Sequence, residues 1–153
     1  MVKNTKKAFV WIINILRKHK VPFCISGGLA AKIYGSKRPL ADIDIEVADD
    51  GFVKILPEIK KYLTYGPERC RDKTYNLLLT TLKYSGQEID LCGANSSLLF
   101  DKKNKKWIKE RIPLTKAVRK KVYGLIVPII PLYYLIYYKK IIGDNRDKIL
   151  ENK

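Results

Sequence analysis

A chain of 153 residues, 46% of them hydrophobic, is long enough for one compact domain and too apolar for wholesale disorder. Its 31 Lys and Arg stand against 15 Asp and Glu, a formal net charge of +16, which favours polyanionic partners such as nucleic acid or nucleotide phosphates. A single histidine, His19, argues against a zinc site or a His-dependent triad, and Cys24, Cys70 and Cys92 lack metal-ligand or disulfide-framework spacing.

The opening segment places Phe9, Ile12, Ile13 and Leu16 at the spacing of one helical face, with lysines on the other. Its positive start and apolar stretch faintly resemble a signal peptide, but Asn14 interrupts it and Arg17-Lys18 ends it without a small-residue cleavage site. Val21 to Ser26 reads as a buried strand, and Leu29 to Tyr34 as a short helix closed by Gly35. Ala41 to Val47 alternates polar and apolar residues, the pattern of a half-buried strand. Phe52 to Tyr62 has helical spacing with Pro57 inside, so a kink or late start is expected there.

Asn76 to Lys83 and Glu88 to Cys92 form a hairpin around Tyr84-Ser85-Gly86-Gln87. Leu114 to Lys121 reads as loop or helix, Val122 to Val127 as a strand, and Pro131 as the start of a last helix that Gly143 ends before a polar tail. The apolar run Leu125 to Tyr138 is too short to span a membrane and holds two prolines, so a soluble, cytoplasmic protein is expected. The order is helix, strand, helix, strand, helix, hairpin, strand, helix. That is an α/β (α+β) domain covering 1–153, with a mixed central sheet flanked by helices.

Charge is segregated along the chain. No carboxylate precedes Asp42, and the segment 102–121 holds ten Lys or Arg against the single Glu110. The acids gather between Asp42 and Asp90, so a small acidic spot in a basic surround is expected. Asp42 and Asp44 share one strand face, where two carboxylates repel unless a cation lies between them. Glu88-Ile89-Asp90-Leu91 places Asp90 between apolar residues on an expected central strand, a costly setting for an unpaired carboxylate. Three such acids suit hard cations, Mg²⁺ or Mn²⁺, and can hold two of them roughly 3.5–4 Å apart for phosphoryl transfer. Gly27-Gly28, between strand and helix, lets the backbone approach a ligand closely.

The combination Gly27-Gly28, Asp42-x-Asp44 and a later hydrophobic-Asp-hydrophobic at Asp90 resembles the nucleotidyltransferase superfamily of DNA polymerase beta. The fuller string Gly-Gly-x-Ala, Tyr-Gly, Arg38, Asp-Ile-Asp is similar to its small bacterial and archaeal branch, which includes AbiEii-type toxins and the lincosamide and aminoglycoside nucleotidyltransferases. The motifs cover residues 23–92. A weaker likeness covers Pro131 to Asp147, a helix with Lys139 or Lys140 followed by Arg146-Asp147.

The resemblance implies that Asp42, Asp44 and Asp90 hold two Mg²⁺ or Mn²⁺ ions and that Asp90 also activates the attacking hydroxyl. It implies that Ser26, Gly27, Gly28, Arg38 and Lys139 bind the NTP. The reaction would move an NMP from an NTP to an acceptor hydroxyl with release of pyrophosphate, the acceptor being RNA, for instance a tRNA end, or a partner protein. A small cationic acceptor would instead want an acidic pocket. The alternative is a non-catalytic module of the same fold that grips RNA or a protein.

Several residues carry two readings. Leu40 stands where the family motif has Ser or Thr. Glu46 continues the Asp42/Asp44 face or is solvated at the strand's far end, and Glu88 competes with Asp90. Arg38 and Lys139 are phosphate ligands or ordinary surface cations. Tyr133, Tyr134, Tyr137 and Tyr138 stack a base or serve as core and rim. Trp107, among lysines, contacts nucleic acid or anchors a loop.

Overall fold

The computed structural model describes residues 2–147; the end of the polar tail lies outside them. The first helix, α1 (Thr5–Lys18), buries Phe9, Ile12, Ile13 and Leu16 on one stripe, as their spacing requires. Asn4 caps it by accepting a hydrogen bond from the Lys7 amide at 3.0 Å, and Arg17 and Lys18 sit at the negative end of its dipole. Strand β1 (Phe23–Ser26) is buried along its whole length and leads without a loop into α2 (Gly27–Ile33), which starts two residues before the expected Leu29. Strand β2 (Ile43–Val47) alternates buried and half-buried residues, with Ile43, Ile45 and Val47 in the core. It begins after Asp42, shorter than the expected Ala41 to Val47.

Helix α3 (Gly51–Ile59) continues into a 3₁₀ turn (Lys60–Tyr62), and Pro57 lies inside it. The carbonyl that Pro57 leaves unbonded belongs to Val53, which is exposed, so water can replace the missing bond and the helix continues through the proline. The expected hairpin is β4 (Tyr75–Tyr84) with β5 (Gln87–Gly93), turning at Ser85 and Gly86, both at positive φ.

Four strands were not foreseen as such. Strand β3 (Leu63–Arg71) lies outside the central path of the sheet, its alternation broken by register shifts around Gly66-Pro67. Strands β6 (Ser97–Asp101) and β7 (Lys106–Glu110) form a hairpin, and the segment expected as loop or helix over Leu114 to Lys121 is a 3₁₀ turn followed by β8 (Val118–Val122). The strand expected over Val122 to Val127 straddles the turn Tyr123-Gly124: Val122 ends β8, and Leu125 to Val127 belong to β9 (Leu125–Ile129). In β8 the sequence Val-Arg-Lys-Lys-Val hides strand character under exposed charge, as edge strands do. Helix α4 (Leu132–Ile142) starts after Pro131 and ends at Gly143 at φ 74°, as expected.

Among the described residues the nine strands form one mixed sheet in the order β7-β6-β4-β5-β2-β1-β9-β8, with β3 paired to β4. One face carries the core: Ile25, Ile43, Ile45, Ile89, Leu91 and Leu82 pack under α1 and α3. The opposite face is left partly open between α2, α4 and β3, and the polar positions of the same strands point into that opening. Among the described residues no helix is long and apolar enough to cross a membrane. The basic segment 102–121 is not one surface, because β7 and β8 stand at the two ends of the hydrogen-bonded strand order.

Candidate functional site

Strand register builds the site. β2 and β5 run parallel with Asp44 opposite Asp90 and Glu46 opposite Cys92, and the same register carries Asp42 beside Glu88. β1 runs antiparallel to β2 with Ser26 opposite Asp44 and Cys24 opposite Glu46. Neighbouring strands lie about 4.8 Å apart, so these carboxylates form a ladder on one face with little between them. Glu88 does not displace Asp90. Each acid pairs with a different rung.

The ladder opens into a cleft of about 210 Å³ lined by Ser26, Gly27, Asp44, Glu46, Asp90 and Glu110, with Cys70, Asp72, Tyr75, Leu77, Leu79, Cys92 and Tyr138 as its walls. A larger open groove of about 610 Å³ beside Arg17, Leu114, Arg119 and Ile126 holds none of these residues and no carboxylate. Size therefore does not mark the chemistry; the convergence of carboxylates does.

The acids show the strain of their proximity. Burial first, then the charges of Asp90 and Asp42, push the Asp44 carboxyl up to about 7, while the Gly28 N–H it accepts and the charge of Lys139 pull the other way. Burial, the Glu88 carboxyl hydrogen-bonded to it and the Asp90 charge push Asp42 up to about 6. Asp90 is raised chiefly by burial and held by a hydrogen bond donated from Thr81 Oγ1 at 2.8 Å. Carboxyls raised by burial and by one another's charge gain from a cation that takes the proton's place. A donor set of hard carboxylate oxygens fits Mg²⁺ or Mn²⁺ better than a softer metal. Among the described residues no group of three or more His, Cys, Asp or Glu side chains is already arranged to hold a metal ion.

Ser26 ends β1 and Gly27 opens α2, so the chain turns at the rim of the ladder. Gly27 has φ 55°, and a Cβ there would stand 2.1 Å from Asp44 Oδ2. Only glycine fits. Gly27→Ala is accordingly expected to cost ~1–2 kcal/mol of backbone strain and to displace Asp44. Calorimetry should find the lowered unfolding midpoint. The Gly28 N–H is turned to Asp44, and Ser26 lies in the cleft with Glu46 and Tyr138.

The two cations converge from different elements. Lys139 of α4 is buried and donates to Asp147 at 2.9 Å and Asp144 at 3.3 Å. Arg38 pairs with the same Asp147 at 3.4 Å, and a Cβ on Gly28 would lie 3.7 Å from its Nη2. Ser36 Oγ donates a short hydrogen bond to Asp147 as well. Asp147 thereby ties the loop after α2 to the end of α4 and sets both cations beside Gly28 and Asp44. Of the four tyrosines on α4, Tyr138 is buried against the cleft and Tyr134 donates to Glu110 at 2.7 Å, while Tyr133 and Tyr137 are exposed.

Sequence reasoning missed Glu110 and Tyr75 in the cleft. Glu110 is the one acid in the basic segment 102–121, and that isolation is the signal that could have found it. Burial pushes its carboxyl up to about 7 against the pull of the Tyr134 hydroxyl. Glu46, which had a solvated alternative, instead lines the cleft facing Glu110, and burial together with the Glu110 charge raises it far above the carboxylate range.

No family model and no curated protein matches the chain. Solved structures do. A candidate nucleotidyltransferase from Thermotoga maritima superimposes with a TM-score of 0.72 at 17% identity, over 95% of this chain and 89% of that one. The chain has the nucleotidyltransferase fold. The lincosamide antibiotic adenylyltransferase LnuA, solved with lincomycin bound, matches with a TM-score of 0.62 at 15% identity, over 98% of both chains. The antibiotic-resistance factor ANT(2'')-Ia follows at 0.53 and 13%, over 96% of this chain and 89% of that one. On this nucleotidyltransferase fold the acid ladder stands on the open face of the central sheet, where Asp44 and Asp90 come from two parallel strands that sequence separates widely.

Proposed function

We propose that the protein transfers an NMP from an NTP to an acceptor hydroxyl, releasing pyrophosphate, and that the acceptor is a small molecule carrying an amine. The observation that carries the transferase reading is the register that sets Asp44 beside Asp90 under Gly27 on this fold. Asp42, Asp44 and Asp90 would hold Mg²⁺ or Mn²⁺, which supplies charge neutralisation at the triphosphate and the attacking oxygen. Lys139 and Arg38, both paired with Asp147, would neutralise charge on the departing pyrophosphate. Gly27 makes way for the Asp44 carboxylate, and at Gly28, where a Cβ would meet only Arg38 and Leu40 at 3.7 Å, the triphosphate would approach the backbone. Asp90, oriented by Thr81, accepts the proton of the acceptor hydroxyl. The P–O bond to the pyrophosphate breaks as the acceptor oxygen bonds to the α-phosphorus, and the nucleotide leaves as the acceptor's phosphodiester.

The acceptor reading rests on the cleft wall beyond the metal ligands. Glu46, Glu110 and Asp72 line it, and among its lining residues there is no Lys or Arg. Once Glu110 ionises, above about pH 7, that wall repels the phosphates of an RNA end and attracts an ammonium group, whatever the net charge of the whole chain. The halves of the basic segment, on β7 and β8, stand at opposite ends of the hydrogen-bonded strand order. The LnuA neighbour, with lincomycin bound, is consistent with a small acceptor.

Transfer of label from each α-labelled NTP, with Mg²⁺ or Mn²⁺, into hydroxylated amines, their N-acetylated forms and RNA tests both parts. Label in the free amines and not in the acetylated forms is the expected result. Label in RNA alone would overturn the acceptor and keep the transferase. No Asp44-dependent label in any acceptor would overturn the transferase.

A further inference from the structure

The rear of the sheet extension carries a second surface with its own chemistry. Strands β3, β4, β6 and β7 present Cys70, Leu77 and Glu110 to the cleft, so the alternate residues face the other way. On that rear side Arg71 lies over the Trp107 ring at 5.5 Å, and Phe100 meets Trp107 edge-on at 5.4 Å. Lys109 follows Trp107 along the same side, beside a hollow of about 340 Å³ that also reaches Arg69, Ser96, Glu110 and Arg111. Helices α1 and α3 cover the neighbouring part of the sheet, but Phe100 and Trp107 are left half-buried and Arg71, Lys109 and Arg111 exposed.

The cations there differ in what holds them. Arg69 is fixed by Asn76 and Ser96, with hydrogen bonds of 2.7 to 3.0 Å. Among the described residues Arg71, Lys109 and Arg111 pair with no carboxylate. Three unpaired cations around two half-exposed aromatic rings on a sheet face match a chain of alternating phosphates and flat bases. Aromatic faces stack bases of any identity, and cations track the backbone. An acidic peptide would use the cations but leave the rings without partners. We infer that this rear face, distinct from the cleft, binds single-stranded nucleic acid, with Trp107 stacking a base and Arg71, Lys109 and Arg111 meeting phosphates. Nucleic acid held there lies on the opposite side of the sheet from Asp90 and is not the acceptor.

Fluorescence anisotropy with labelled oligouridylate and the matching oligothymidylate tests the inference directly. Trp107→Ala is expected to weaken binding about 10-fold, the scale of one base stacked on one aromatic ring. Arg71→Ala with Arg111→Ala, both on exposed side chains, should lower the slope of log affinity against log salt by about 1.4, near 0.7 for each lost phosphate contact on a single strand. Asp90→Asn should bind as the parent does, which separates this surface from the cleft. In a Trp11→Phe background the remaining Trp107 emission should be quenched on titration. Equal affinity for RNA and DNA or a preference for RNA both agree with the inference. Affinity unchanged in both the Trp107 and the arginine variants would overturn it. So would equal competition by polyglutamate without quenching, which would make the face a site for acidic proteins.

Discussion

Asp44→Asn is expected to abolish nucleotidyl transfer while raising the melting temperature of the metal-free protein. The two effects have one origin. Asp44 lies beside Asp90 in register and near Asp42, and burial with those charges pushes its carboxyl up to about 7. The unfolded value is near 3.8, so between about pH 4 and 7 the unfolded chain releases a proton that the folded chain keeps, and stability falls as pH rises through that window. Asparagine removes the cost. At pH 7.5 the variant should melt about 5 °C or more above the parent without divalent ions.

Added Mg²⁺ or Mn²⁺ reverses the order, because a ligand that binds only the folded state stabilises it, and only the parent keeps the full carboxylate set. Transfer should drop by at least ~1000-fold, the scale of removing a preorganised electrostatic contact at the reacting phosphate. Asp90→Asn should behave alike in transfer. Scanning calorimetry at several metal concentrations, run beside the label-transfer assay, reads both. A variant that is less stable than the parent without metal would show that the three acids are structural partners and not a metal site.

The motifs that mark this site were legible because they are local. Alternation in Asp42-Ile43-Asp44-Ile45-Glu46-Val47 fixes which side chains share a face before any partner strand is known. The apolar flanks of Asp90 do the same for the second strand, and the two facts meet once β2 and β5 pair in parallel. Gly27 and Gly28 were legible as a close approach, though not that the approaching group is the Asp44 carboxylate itself.

What stayed hidden depends on contacts distant in sequence. Glu110 reaches the cleft through β7, a strand whose Lys-Trp-Ile-Lys-Glu sequence reads as solvated charge. Its partner Tyr134 comes from α4, and only the packed fold brings the two within 2.7 Å. The basic segment misled for the same reason. Lys102 to Lys121 are continuous in sequence, but residues 111–117 carry the chain from one end of the strand order to the other. Linear charge density described two surfaces as one. Edge strands β3 and β8 were obscured because a strand with an open side need not alternate cleanly or avoid lysine.

The second large effect is expected at Glu110, where stability and charge recognition oppose each other. Its carboxyl is buried, is held by the Tyr134 hydroxyl and titrates at about 7, against 4.5 for an ordinary glutamate. The folded pKa is raised, so the neutral form is favoured in the fold. The stabilisation this gives is fully present below pH 4.5 and is lost as pH climbs to about 7, above which the loss is complete. Each pH unit between those two values is worth about 1.4 kcal/mol, so the full swing is roughly 3 kcal/mol. Glu110→Gln keeps a hydrogen-bonding group for Tyr134 and removes the titration. The gap in unfolding free energy between variant and parent should therefore widen with pH from about 4.5 to 7 and then level off, as urea melts across that range would record. The same variant removes one of the charges proposed to meet the acceptor's amine. At pH 8 it should combine higher stability with an acceptor KM raised about 10-fold or more, the scale of a lost hydrogen bond to a charged group, and an unchanged KM for the NTP. Higher stability with both KM values unchanged would make Glu110 a buried acid without a ligand.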